Sequence, residues 1–335
     1  MENNYYNTAY GSYDPSAAFW LRKNYEKKEL GMLGKCTGMA VCIYILLSEV
    51  FVFVPYVFNF EKEYYDRGVL FYSLTMLSSV LCLLLPFVLM SRYEQKKLPV
   101  RVDFIPAENP GKLSTLLLCI PVGFGGCLLS NFISSYIDIF IQATGVELSS
   151  PEIDPGASEP LYLLMYFLCV AVCAPVCEET AMRGVVLQPL KKYGGAFAVG
   201  ASATVFGLLH CNLIQTPCAI MAGIALGYIA LVTGSIWAPV VVHFLNNFYS
   251  LFIGEMQNRT AEKNVVIFHY AVTVAGIFIG AVCLAVLVIK RRGVGVPGRD
   301  TVLTTGEKIK AYFFNVPMLV AFIFILIITK TYVSL

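Results

Sequence analysis

LYLLMYFLCVAVCAPVCEETAMRGVVLQPL, residues 161–190, is an apolar run into which Glu178, Glu179 and Arg183 have been set. A helix rises 1.5 Å per residue, so this stretch is longer than the ~30 Å hydrocarbon core of a bilayer. The segment reads as a membrane helix, long enough to tilt or to project into the headgroups. Pro175 lies inside it, and neighbouring helices must then satisfy the backbone groups that it frees.

The rest of the chain has the same character. Of 335 residues, 57% are hydrophobic and only 14% charged, against about 25% charged in a soluble domain. The mean hydropathy is +0.69. A water-soluble surface and a disordered chain are both excluded. The net charge of +2 gives no basis for a nucleic-acid partner. Apolar runs recur at about 37–59, 69–90, 113–142, 161–190, 195–212, 217–233, 236–253, 265–289 and 311–331. We expect an all-α, polytopic transmembrane bundle of about nine spans, eight being the lower count, with its chemistry in spans four to seven. The eleven cysteines lie in or beside these runs, in odd number, and read as small apolar helix residues rather than a disulfide framework. Residues 1–35 are polar, aromatic and charged, so no cleaved signal is expected and the first apolar helix directs insertion.

Loop charges set the expected orientation. With the N-terminus inside, 18 of the 24 Lys and Arg fall on the inner side: in the tail, in 91–112, at Lys191 and Lys192, and in 290–310. Only Lys62, Arg67, Arg259 and Lys263 fall outside, and the 143–160 loop has no basic residue. The expectation is a cytoplasmic N-terminus and an exterior C-terminus. The chain then divides into a cytoplasmic tail (1–36), N-terminal membrane helices (37–159), a reactive core (160–253) and C-terminal membrane helices (254–335).

Ionisable side chains inside a bilayer cost several kcal/mol each and are candidates for function. Glu178, Glu179, Arg183, His210 and His243 fall in spans four, five and seven. Glu49, Asp138 and His269 stand apart and read as packing or interfacial groups. On a helix Glu179 and Arg183, four apart, share a face, while Glu178 is turned by about 100°. Glu179 is thus neutralised by Arg183, and Glu178 is left to face a cavity as a general base. His243 and Asn247 are also four apart on one face. Counted from the 191–193 turn, Glu178 and His210 reach similar depth on neighbouring antiparallel helices. The plainer reading is an internal ion-pair cluster.

The three motifs EExxxR (Glu178, Glu179, Arg183), FxxxH (Phe206, His210) and HxxxN (His243, Asn247), in this order on successive membrane helices, resemble the CAAX-protease and bacteriocin-processing (Abi) family of intramembrane proteases. Glu178–Gly184 is similar to that family's EExxFRG, with Met182 where Phe is usual, and Gly227-Tyr228 and Thr233–Pro239 extend the likeness over about residues 160–250. The flanks carry no such signature.

The resemblance implies peptide-bond hydrolysis within the bilayer. Glu178 takes the position of the catalytic base, and His210, His243 and Asn247 hold the water and stabilise the oxyanion. Glu179, Arg183 and Phe206 take supporting positions. Glu178, His210 and His243 would suffice for a catalytic zinc, but no HExxH is present, and we favour a water activated without a cofactor. Expected partners are a membrane-embedded or lipid-anchored protein or peptide substrate and membrane lipid, in a bacterial plasma membrane. Alternatives are a non-proteolytic binding, immunity or regulatory protein of the same fold, and a proton-relay transporter, for which no internal repeat speaks. Gly200-Ala201-Ser202-Ala203 with His243 superficially resembles a rhomboid Ser–His dyad, but that reading leaves Glu178, Arg183 and His210 unused.

Overall fold

A computed structural model describes residues 15–58, 68–98, 113–149, 160–291 and 301–334. The first fourteen residues of the tail, most of the 91–112 and 143–160 loops and residues 292–300, on which the charge count partly rests, lie outside these ranges. The described chain is helical apart from one small ribbon. Its helices are α1 (Pro15–Val52), α2 (Val69–Lys97), α3 (Leu113–Gln142), α4 (Pro160–Tyr193), α5 (Gly195–Leu208), α6 (Gln215–Thr233), α7 (Trp237–Arg259), α8 (Glu262–Arg291), α9 (Thr305–Phe313) and α10 (Val316–Thr331).

Each expected span falls on one of these helices, but the count of nine membrane crossings is not reached. Among the described residues six helices are long and apolar enough to cross a bilayer, or seven if α9 and α10, bent by 74°, act as one. Two physical reasons account for the difference. Helix α5 has 14 residues, about 21 Å at 1.5 Å each, too short for a ~30 Å core. Helix α7 is long enough, with 23 residues, but its apolar character is diluted by His243, Asn246, Asn247 and the polar end from Glu255 to Arg259. The chain is a multi-pass membrane protein in which neither α5, which leads to His210, nor α7, which carries His243, is among the helices long and apolar enough to cross.

Helices α2 and α4 widen into π-helical turns at Ser79–Leu84, Leu168–Cys173 and Thr180–Val186. Each widening is followed within three residues by a proline: Pro86, Pro175 and Pro189. Proline has no N–H to give, and its ring crowds the carbonyl one turn back. A wider turn relieves that crowding without ending the helix.

Two apolar clusters form the interior. One is built from α1, α2, α4, α5 and α10 around Leu30, Phe87, Met182, Leu187 and Phe206. The other is built from α3, α6, α7 and α8 around Cys127, Leu226, Ile229 and Val242. Gly38 lets α1 press onto the start of α10, where a Cβ would come within 2.5 Å of the Met318 nitrogen.

The two ends of the bundle are marked by polar contacts. At one, Lys192 pairs with Glu29, Tyr193 Oη donates to Glu29 Oε2 at 3.0 Å, and Lys308 Nζ donates to the Tyr193 carbonyl at 2.9 Å. Thr301 Oγ1 donates to Glu26 Oε2 at 2.7 Å in the same group. At the other end β1 (Glu147–Leu148) pairs antiparallel with β2 (Val333–Ser334). The tail, the 191–193 turn and the 301–308 segment thus share one end, while the 147–148 segment shares the other with the C-terminus. Away from the clusters, Glu49 is exposed on α1. The Asp138 carboxylate accepts a 2.9 Å bond from Gln142, and His269 stacks on Tyr249.

Candidate active site in the seam between the two clusters

Glu178 and Glu179 close the short α-helical stretch Ala174–Glu179 that follows Pro175. About 100° of rotation separates them, and their surroundings differ accordingly. Glu179 is fully buried, whereas a quarter of the Glu178 side chain is exposed. That exposure is to a half-open cavity of about 290 Å³, lined by Glu178, Phe206, His210, His243 and Asn247 among others. A second cavity of about 280 Å³, on the α1 side near Tyr44 and Leu83, shares Glu178, Phe206, His210 and Gln215 with the first.

Behind Glu178 the charges are interlocked. Arg183 Nη1 donates to Glu179 Oε1 at 3.2 Å. Its Nε approaches Glu179 Oε2 to 3.1 Å but out of line, so that contact is an ion pair without a second hydrogen bond. Arg183 Nη2 donates to the Gly223 carbonyl at 3.0 Å, and its guanidinium lies 4.8 Å from the centre of the Phe206 ring. The absence of a side chain at residue 223 makes this reach feasible, since a Cβ there would meet Ala203 Cα at 3.0 Å and the Phe206 ring at 3.2 Å.

Glu179 has a second partner that helix spacing could not reveal. His243 Nδ1 lies 2.9 Å from Glu179 Oε1. A carboxylate only accepts, so Nδ1 carries the hydrogen, and in the neutral imidazole Nε2 turns its lone pair outward. That nitrogen is 3.7 Å from Glu178 Oε2, too far for a direct hydrogen bond. Glu179 therefore neutralises Arg183 and also orients His243.

His210 is not within a helix, as the 195–212 segment had suggested. Helix α5 stops at Leu208, and His210 stands in the turn beyond it. Cys211 takes the left-handed backbone conformation at φ 52°. Buried Asn212 pins the turn by donating to the His210 carbonyl at 2.8 Å and accepting from the Gln215 N–H at 2.8 Å. His210 and Glu178 line the same cavities, and irregular backbone among membrane helices is tolerated where it lines a cavity. His210 Nδ1 lies 3.0 Å from the Phe206 carbonyl. A carbonyl only accepts, so this histidine too leaves its Nε2 lone pair free.

Asn247 lines the same cavity, and its Nδ2 donates to the Val170 carbonyl at 2.9 Å. Ser202 does not belong to the site: it is buried, and its hydroxyl donates to the Met182 carbonyl at 2.9 Å. Among residues that motif reading passed over, Gln215, Asn131, Cys218 and Asn246 also line the cavities. An amide inside a membrane also needs partners, at a far smaller cost than a charge, so Asn131 and Asn246 give a signal that ionisable groups alone do not.

Carboxylate and imidazole donors of this kind suit zinc. Among the described residues, however, no three His, Cys, Asp or Glu side chains converge on a point able to hold a metal ion. Glu178, His210 and His243 are thus not gathered into a single ligand set among the described residues.

The bundle gathers a carboxylate, two imidazoles and a carboxamide around one cavity, which defines a multi-pass helical membrane protein with a polar site among its helices. More particularly, residues 160–249 match the family model described as Type II CAAX prenyl endopeptidase Rce1-like. The match covers nearly the same stretch as the three motifs, and it supports a CAAX-type intramembrane protease. No curated protein and no solved structure matches the chain.

Proposed function

We propose that this protein is an intramembrane endopeptidase in which Glu178 activates water without a metal. The observation that carries the reading is the 3.7 Å separation of Glu178 Oε2 and His243 Nε2 in a cavity shared with His210. Both atoms are acceptors, and one water can give a hydrogen to each while directing its own lone pair at a carbonyl carbon. Glu178 takes a proton as the water oxygen bonds to that carbon. The oxyanion is met by an N–H of Asn247, and the C–N bond breaks as Glu178 returns the proton to the leaving nitrogen. His210 presents a second imidazole acceptor to the same cavity, open to an N–H of the substrate because both water hydrogens are already given. Glu179 and Arg183 are positioning residues.

The substrate is a membrane-embedded or lipid-anchored protein or peptide, consistent with a cavity that lies among membrane helices. The test is cleavage of a membrane peptide by the purified chain. Glu178→Gln keeps size and most hydrogen bonding but removes the base, and the rate should fall about 10²–10⁴-fold while the protein still folds. His210→Ala and His243→Ala should act in the same direction. Full activity of Glu178→Gln defeats the mechanism. Loss on chelation with rescue by zinc replaces the metal-free water by a metal-bound one. A biological effect that survives all these substitutions marks a binding protein of the same fold.

The orientation proposed is N-terminus cytoplasmic and C-terminus exterior, in a bacterial plasma membrane. It is supported by the 18-to-4 basic asymmetry and by the way the helices join the basic segments at one end. Reporter fusions after residues 150 and 335 should read exterior, and one after 300 cytoplasmic. A cytoplasmic signal after residue 150 reverses the assignment.

A further inference from the structure

Four hydrogen bonds run in one direction along the wall of the 290 Å³ cavity and tie together four helices. Cys218 Sγ on α6 donates to Asn131 Oδ1 on α3 at 2.8 Å. Asn131 Nδ2 donates to Asn246 Oδ1 on α7 at 3.2 Å. Asn246 Nδ2 donates to Asn247 Oδ1 at 3.3 Å, and Asn247 Nδ2 donates to the Val170 carbonyl on α4 at 2.9 Å. All five residues line that cavity.

The direction of the chain is set at its ends. Within the π-helical turn Leu168–Cys173, each carbonyl accepts from the N–H five residues on, as the Ala174 N–H does with the Cys169 carbonyl. The next pair in that register would be Val170 with residue 175, which is proline and has no N–H. Val170 is thereby left a part-buried acceptor in need of a donor, and Asn247 supplies it. Turning the Asn247 carboxamide over would set its oxygen against the Val170 oxygen. A thiol opens the chain and an orphaned carbonyl closes it, so each of the three carboxamides has one self-consistent orientation. In that orientation the Asn247 oxygen is occupied and its second N–H remains to be given.

We infer that Asn131 and Asn246 are positioning residues that hold the Asn247 carboxamide with its N–H, rather than its oxygen, toward the reacting carbonyl. The inference rests on the proteolytic reading above and adds to it a residue of α3, outside the stretch that matches the family. Without the relay the carboxamide is held at the Val170 carbonyl alone, and an acceptor turned toward the oxyanion would oppose the reaction.

The experiment measures kcat and KM for cleavage of one transmembrane peptide by full-length protein, with thermal unfolding of each variant alongside. Asn131→Ala and Asn246→Ala should each lower kcat about five- to tenfold, the worth of one neutral hydrogen bond, with KM nearly unchanged. In an Asn247→Ala background the same substitutions should add little, because what they position is gone. Cys218→Ala removes only the first donor and should show a smaller loss of the same kind. It decides the matter if the asparagine variants do not fold. Full losses that persist in the Asn247→Ala background overturn the relay, as does a change confined to KM or an unchanged kcat in all three variants. A wild-type protein that cleaves no peptide overturns the proteolytic reading and the relay's purpose with it. Cleavage by the wild type together with additive losses overturns the relay alone.

Discussion

Two groups in the molecule each set a glutamate between two basic side chains, one in the interior and one at the basic end. In the interior Glu179, Arg183 and His243 form an interlocked set in which Glu179 and Arg183 are wholly buried. At the end of the bundle Glu307 Oε1 meets Lys23 Nζ at 3.0 Å and Lys27 Nζ at 2.8 Å, all three side chains partly exposed. Exposed pairs are screened by water and salt and contribute little each. A buried set cannot be relaxed by solvent, so each member depends on the others. The end group fastens α1 to α9. The interior group uses two full charges to hold a third side chain, His243, in one orientation beside Glu178. Environment separates attachment from chemistry here.

The sharpest way to break this contrast is Arg183→Ala. It leaves Glu179 as an unpaired charge in the bundle, and the loss of stability should be about 3–5 kcal/mol, read as folded yield and thermal unfolding of the purified protein. The lost contacts with the Gly223 carbonyl and the Phe206 ring act in the same direction. A variant that folds normally but is inert would move Arg183 from the scaffold into the chemistry.

Glu179→Gln asks a finer question. The amide keeps the shape of the carboxylate and can still accept from His243 Nδ1, but Arg183 loses its counter-charge. If Glu179 mainly orients His243, activity should fall about 10–100-fold, as when the supporting partner of a functional histidine is removed. That is a smaller loss than the one set for Glu178→Gln, and cleavage rates of the two variants under one condition give the comparison. Equal losses would show that the adjacent carboxylates share a single role.

How far these relations were legible in the sequence differs from residue to residue. The i,i+4 spacing of Glu179 and Arg183 suffices to pair them, because a helix brings such residues together without help from the rest of the fold. The nine apolar runs located the helices, since burial in lipid demands length and hydrophobicity that read directly from the chain. Which of those helices cross the bilayer was not legible. Where α5 stops depends on the Asn212 turn and on packing against α6, and apolar content alone cannot place His210 beyond a helix end. The bond from His243 to Glu179 spans 64 positions in the chain and two helices, and no local period encodes it. Asn131 lay hidden for another reason: attention to ionisable groups passes over amides, which among membrane helices also need partners.

The smallest effect belongs to Glu307, and its pH dependence follows from its surroundings. Hydrogen bonds from Lys27 and Lys23, with help from the Thr304 backbone, hold its carboxyl down to about 2, against an ordinary value of about 4.3. A carboxyl held low in the folded protein contributes stability above its ordinary value and loses that contribution as pH falls toward the lowered one. Glu307→Gln isolates the charge, because Glu307 also closes the capping box with Thr304 at the start of α9, and Gln is accepted at that position. Wild type and variant should therefore unfold at slightly different temperatures from pH 7 down to about pH 5. The gap should narrow below that and close near pH 2, and added salt should shrink it at every pH. A gap as large as that of Arg183→Ala, or one indifferent to salt, would mean that the end group is as enclosed as the interior one, and the contrast between the two regions would then fail.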